Sequence, residues 1–442
     1  MSSELSFSRV KDFPLLMWIL LFGSFITRGS FFMVWPFLAV ILYDKFALSA
    51  TEVGLILSTA AVVAVFVSFV GSTLSDKLGR QTVMYATGVL YIVSFSLLAE
   101  ADTVTMFAIV ITLCSIATAL WRPLASALIG DIIDDSKTRE LAMQSMYFIV
   151  NVGCAVGPIA GVWLGLTGQQ SSFYITTVAF AFLLGLLVWG FSHHKKSDHK
   201  RSHHKKTQHE KSLQNTENQS TSSTELENNE PVKESIGMKQ TLAILAKDRL
   251  LQCLILANVI CLFIYGQMDS SLIQYLTREN VPKLLELVSS LIFTNAMVII
   301  TCQFLLLRIM AKVELVHRIQ IGLVLLMCSQ VFMALNAPSF FWGWIGAVVV
   351  LSLAEAILFP TMNVHIDRIA PDNLRGAYFG ASAFYDFGFA FAPLGGGIIL
   401  DLFGGFWLFV TCSVMCVVVM GLYYVLEKLP RPDFASPQAE LR

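Results

Sequence analysis

Twelve apolar runs leave this chain little choice of fold. They cover 14–43, 50–74, 82–100, 105–132, 141–166, 172–192, 249–276, 284–307, 314–336, 339–367, 375–400 and 405–428. A helix of about 20 apolar residues crosses roughly 30 Å of hydrocarbon, where every backbone polar group must be satisfied internally. The expectation is an all-α membrane protein with twelve transmembrane helices. Composition agrees, since 55% of the residues are hydrophobic and only 14% are charged. A soluble chain would carry charge on about a quarter. The net charge of −1 implies no strong electrostatic pull on nucleic acid. All eight cysteines fall inside apolar runs without a C-x-x-C spacing, so they read as small apolar side chains. No small-residue cleavage site separates the polar residues 1–13 from the first run, which reads as an uncleaved span.

Lysine and arginine set the orientation. Arg9 and Lys11 precede the first span; Lys77, Arg80, Lys137, Arg139, Arg308, Lys312, Arg318, Arg368 and Arg375 fall in even-numbered connections. The odd-numbered connections are nearly bare, with Lys45, Arg278 and Lys283 as exceptions. Both termini are therefore expected in the cytoplasm, with the chain crossing the cell's inner membrane repeatedly. Residues 193–248 form the one long polar segment, and six of the eight histidines lie there. Its Lys/His and then Ser/Asn/Glu bias cannot bury a core, so it reads as a cytoplasmic linker. The basic half suits an anionic lipid surface. Metal sensing by the histidines is the competing reading, and a solvated linker is the simpler one. The resulting division is a tail at 1–13, a six-helix bundle at 14–192, the linker, a second bundle at 249–428 and a tail at 429–442.

The two halves echo each other. Pro123, Asp131, Arg139, Asn151, Pro158 and Gly161 follow in order in the first, as Pro360, Asp367, Arg375, Asp386, Pro393 and Gly396 do in the second. The acid-to-arginine interval is eight residues in both halves, and the interval from Asn151 or Asp386 to its proline is seven. Repeated halves of this kind build a central site that opens alternately to the two sides.

Between the second and third spans stands G-S-T-L-S-D-K-L-G-R-Q, residues 71–81. Gly71, Leu74, Asp76, Lys77, Gly79 and Arg80 resemble the G-x-L-x-D-[RK]-x-G-R signature of the major facilitator superfamily, with Gln81 in place of its usual final base. A solvated loop held in place by its bases would also carry these charges. The resemblance covers almost the whole chain and implies two pseudo-symmetric six-helix bundles. It further implies a gate in which Asp76 bridges to the start of the eleventh helix near Arg375–Tyr378, while Arg80 reaches Asp131. The corresponding stretch of the second half, L-R-I-M-A-K-V-E-L-V-H-R, keeps its bases but lacks the aspartate and both glycines. In the fifth span, Gly153, Gly157, Pro158 and Gly161 resemble the G-x-x-x-G-P-x-x-G pattern of the superfamily's proton-coupled exporters. Physically, a close-packed seam explains those glycines equally well. Only the resemblance points to export.

An ionisable group at mid-membrane costs at least about 2.5 kcal/mol, so each needs a reason. Arg28, Arg122, Asp269, Glu355 and Asp386 stand out. A static ion pair would account for any one of them; two bases in one half and three acids in the other favour a working polar cavity. An acid balanced between burial and a nearby arginine can exchange a proton near neutrality. Asp386 and Asp269 lead as proton carriers, Glu355 is third, and Arg122 is the switch. The family's exporters often carry an arginine at that place in the fourth helix. Trp35, Trp121, Asn151, Gln267, Gln274 and Tyr385 join Arg28 as candidate lining of a path for an amphipathic organic substrate.

The resulting expectation is a secondary active transporter working by alternating access and proton-coupled efflux of a small organic compound. A drug or a secreted metabolite such as a siderophore would fit, handled by a monomer without cofactor or metal. A proton-coupled importer of the same fold is the first alternative. A transport-dead sensor and a polytopic membrane enzyme are the others. The enzyme reading is weakened by the absence of a phosphate-cradling G-x-x-x-x-G-K loop.

Overall fold

The computed structural model describes residues 7–193, 244–371 and 374–429, and the side chains at 7, 8, 69–77, 122, 136, 304, 307, 375 and 376 lie outside that description. Most of the 193–248 linker therefore falls outside the described residues. The spans are α1 Leu15–Phe46, α2 Ala50–Leu78, α3 Arg80–Ala99, α4 Val104–Ile132, α5 Ser136–Trp163 and α6 Gln170–His193. The second half gives α7 Arg249–Arg278, α8 Leu284–Met310, α9 Leu315–Leu335 and α10 Phe341–Ile369, then α11 at 375–403 and α12 at 405–428. Eleven apolar helices are long enough to cross a membrane, and the last, Ala377–Lys428, holds two crossings. They join at Gly404, whose φ of 82° and ψ of 174° break the helix without a loop. Among the described residues there are thus twelve crossings.

Polar residues just outside the apolar runs decide where several helices start. Ser49 and Glu52 form a capping box at the head of α2, while Thr103 caps α4, Asp135 caps α5 and Asp248 caps α7. Each such cap satisfies N–H groups that have no intrahelical acceptor and contributes roughly 1 kcal/mol. Two spans are interrupted on the way across. α1 passes through a 3-10 turn at Trp35–Phe37 around Pro36, and α7 unwinds after Gly266 before resuming at Ser271.

Each half has its own core. In the first, Tyr91 stacks on Phe180 with ring centroids 3.6 Å apart, and Trp121 meets both rings edge-on. In the second, Trp344, Phe409, Tyr378 and Tyr423 are fully buried together. Glycine seams then tie helices at backbone distance. A side chain at Gly157 of α5 would strike the Gly29 carbonyl of α1; one at Gly388 of α11 would strike the Val259 carbonyl of α7. The α1–α5 and α7–α11 seams are thus counterparts, as the matched prolines and glycines led one to expect.

The halves meet along α2–α11 and α5–α8. At the first seam, Gly54 faces the Pro393 carbonyl, Gly397 faces the Ala50 carbonyl, and the Leu394 N–H donates to Ser58 Oγ over 3.0 Å. At the second, α5 and α8 border a cavity of about 580 Å³ lined by Arg139, Tyr147, Asn151, Ile299 and Gln303, among others. It lies towards the end where α1 begins and α12 finishes, here called the terminal end.

Candidate functional site

Glu355, at the middle of α10, is an acid held by side chains of two other helices. Its Oε2 accepts from the Tyr265 hydroxyl of α7 over 2.6 Å and from Asn295 Nδ2 of α8 over 2.7 Å. The same amide donates to Ser352 Oγ at 3.0 Å, one turn before Glu355. Tyr265 is also held by rings on α10 and α11, edge-on to Phe359 at 5.0 Å and to Phe389 at 5.7 Å. A carboxylate that accepts two short hydrogen bonds is oriented, and three helices must pack correctly to provide them.

The other charges converge on the same region. Arg28 of α1, Asp269 of α7 and Glu355 all act electrostatically on Cys154 of α5. Asp269 keeps accessible surface although it lies deep among the helices, as a carboxylate on a cavity wall does. Arg28 is half-buried, with its guanidinium carbon 5.8 Å from the Phe31 ring centre. Phe31 in turn stacks on Trp35 at 4.9 Å. The Gly153–Gly157 seam explains why Arg28 lies here. A Cβ at Gly153 would come within 3.1 Å of Arg28 Cβ, so the small residues let α5 press directly on this turn of α1. Pro158 and Gly161 continue the seam, and a side chain at Gly161 would meet Met33. The result brings one base from the first half and two acids from the second within electrostatic reach of Cys154.

Other candidates from the sequence lie elsewhere. Trp121 is 5% exposed within the first bundle's core, and Tyr385 is 7% exposed within the second's. Both pack rather than line an open path. Gln267 is buried against α11, donating to the Ala392 carbonyl over 3.2 Å. Gln274 is buried with neither amide atom bonded in the protein. Asn151 borders the α5–α8 cavity and donates to the Tyr147 carbonyl. Asp386 is exposed near the terminal third of α11 and has a partner of its own. The Arg122 side chain lies outside the described residues. Asn295 and Ser352 escaped the sequence reading, although each is a polar residue within an apolar run, the signal that could have found them.

At the terminal end, the α2 backbone stays helical to Leu78 and turns at Gly79, where φ is 85° and a side chain would be strained. Arg80 Nε lies 2.5 Å from Asp131 Oδ2 across the α3–α4 pair. The side chains of Gly71–Lys77, Asp76 included, lie outside the described residues. At the opposite end the halves are tied together. Asp401, at the end of α11, accepts from the backbone N–H groups of Ala50 and Thr51 at 3.0 and 2.7 Å. Arg278 donates to the Leu48 carbonyl over 3.0 Å and lies 4.8 Å from the Tyr43 ring centre.

Two six-helix bundles with charged side chains among their helices, joined at one end and bordering a cavity towards the other, are the architecture of a multi-pass membrane transporter. The Major Facilitator Superfamily model matches residues 20–385, and the chain belongs to that family. It is 26% identical over 422 residues to the MFS-type transporter YqjV of Bacillus subtilis, covering 94% of each chain. It is 22% identical to the Na(+), Li(+), K(+)/H(+) antiporter of Planococcus maritimus, covering 95% of this chain and 98% of that one. Among solved structures, a POT family transporter in complex with 5-aminolevulinic acid superposes with a TM-score of 0.71 at 14% identity, covering 94% of this chain and 96% of the other. At that identity the likeness speaks for the fold alone.

Proposed function

We propose that this transporter exchanges protons for a small organic compound by alternating access, moving the compound outward across the cell's inner membrane. Both termini are cytoplasmic in this reading, and the α5–α8 cavity is the inward mouth. A single observation carries it: Arg28 of one half and Asp269 and Glu355 of the other lie within electrostatic reach of one residue, Cys154 of α5. Acids set in such a place bind either a proton or a cationic group, and competition between the two links their movements. Asp386 and Arg122 belong to the same coupling set in this proposal, with Trp35 and Asn151 as lining. Support also comes from the quinolone resistance protein NorA of Staphylococcus aureus, 27% identical over 169 residues that span 38% of this chain and 42% of that one. Proteoliposomes holding the purified protein and an imposed pH gradient test the reading. Candidate substrates should move uphill only with the gradient present, and no gradient dependence for any of them would overturn it. Within that assay Asp386→Asn and Asp269→Asn rank the two carriers, since the true proton site loses uphill movement while keeping downhill flux.

A second reading is exchange of a monovalent metal cation for protons. Glu355 accepts from the Tyr265 hydroxyl, and the Asn295 amide bridges it to the Ser352 hydroxyl, so carboxylate and hydroxyl oxygens, the donor type that hard cations take, gather at one place. The Planococcus relative carries that activity in its name. Sodium, lithium or potassium in place of an organic substrate, in the same vesicles, decides between the two.

A further inference from the structure

The turn joining α8 to α9 is where the second half repeats the position of the 71–81 stretch with its bases but without its aspartate or glycines. That turn and the last turn of α10 border a second, open cavity of about 550 Å³ at the terminal end. Lys312, Arg318 and Arg368 line it, with Glu314 the single acid. Arg318 is tethered to the turn, its Nε donating to the Val313 carbonyl at 2.7 Å and its Nη2 to the Ala311 carbonyl at 3.1 Å.

Two further features mark the cavity as a receptor for an anion. The first turn of α9 lines it through Leu315 and Val316, and that helix has no side-chain cap. Glu314 holds the N-cap position but turns its carboxylate to His317, 3.4 Å away. The uncapped N–H groups and the helix dipole therefore face the cavity with positive potential. Independently, His365 of α10 lines the same space at 6% exposure, and its Nδ1 has no partner in the protein. A buried polar atom left so is uncommon and calls for a ligand or water.

We propose that this pocket binds a phosphate group, held by Lys312, Arg318, Arg368 and the α9 N-terminus over the His365 ring. The guanidinium groups and the helix amides match tetrahedral oxygens, and three bases outweigh the one acid already engaged by histidine. The phosphate can belong to an anionic lipid headgroup, since the pocket opens where the membrane surface meets the bundle, or to a free phosphorylated solute. The site lies outside the central cavity, so the proposal stands apart from the direction and substrate of transport.

The test is a titration of the purified full-length protein with inorganic phosphate and, separately, with dioctanoylphosphatidylglycerol, against chloride at equal ionic strength. We expect saturable binding of at least one probe, weakened about tenfold or more in the Lys312→Gln/Arg368→Gln double variant and unchanged in Lys247→Gln. Binding of both probes assigns the phosphate group itself; lipid alone assigns a headgroup, and phosphate alone a soluble ligand. No saturable binding of either probe, or wild-type affinity in a double variant that melts like the parent, overturns the proposal. A second readout needs no substitution. Whichever probe binds should slow acylation of Lys312 but not of Lys247 in the wild-type protein, and equal rates at saturation count against the site.

Discussion

Thr51 donates its backbone N–H to Asp401 Oδ2 over 2.7 Å, joining the first turn of α2 to the last turn of α11 across the seam between the halves. A carboxylate on helix N–H groups gains both hydrogen bonds and a favourable dipole. Arg278, which tethers the Leu48 carbonyl beside it, completes the closure. Asp401→Ala should therefore loosen this end, shifting the open-to-closed ratio there by about tenfold or more. Spin labels at positions 48 and 403 on a cysteine-free background would report it as a longer distance component. An unchanged distance distribution would show that the rest of the seam suffices.

Removing the charge from Glu355 should separate coupling from passage. Glu355→Gln keeps the shape and can still accept from Tyr265, so downhill flux should survive while gradient-driven movement falls by about tenfold or more. Tyr265→Phe deletes one of the two donors and should have the smaller effect. Wild-type uphill transport in Glu355→Gln would remove this residue from the coupling set.

The α1–α5 seam makes a prediction about stability. Gly157→Val places a branched side chain against the Gly29 carbonyl, which backbone cannot yield cheaply. A loss of about 1–3 kcal/mol is expected, with Arg28 displaced from its place beside Gly153 as α1 moves away. Thermal unfolding in detergent measures the first effect, and transport at permissive temperature measures the second. A valine variant as stable as the parent would mean that the two helices can separate freely.

Asp135, in the turn before α5, offers a pH test outside the membrane. Its carboxylate accepts from the Thr138 hydroxyl and N–H at 2.6 and 2.8 Å and pairs with Arg9 at 2.7 Å. The Thr138 bonds, then Arg9, hold its pKa below the ordinary aspartate range. The stabilisation is thus complete above the unfolded value of about 3.9 and is lost as pH falls through the lower folded one. Amide exchange at Thr138, corrected for intrinsic rate, should lose protection only under those acid conditions. Asp135→Asn keeps a capping side chain but should abolish the pH dependence. A wild-type profile in that variant would assign the effect to another group.

The sequence by itself determined the number and place of the spans. Each is set by its own run of apolar residues, which lipid requires whatever the neighbours do, and the helices stand within a few residues of those runs. It also exposed the duplication, because proline and glycine act on the backbone locally and leave their spacing in the chain. The joined eleventh and twelfth spans fit the same logic, with Gly404 marking the break. Tertiary structure alone decided which polar groups meet. Tyr265, Asn295 and Glu355 are 90 residues apart at the extremes, and their contact depends on the rotation of three helices about their axes. Trp121 and Tyr385 could face a path or a core by pattern alone, since aromatic residues suit both, and packing put each in a core. Asp401 drew no notice in the sequence, for an acid at the end of a span is ordinary. Its meaning arises only where α11 brings it over the uncovered amides of α2, 350 residues earlier in the chain.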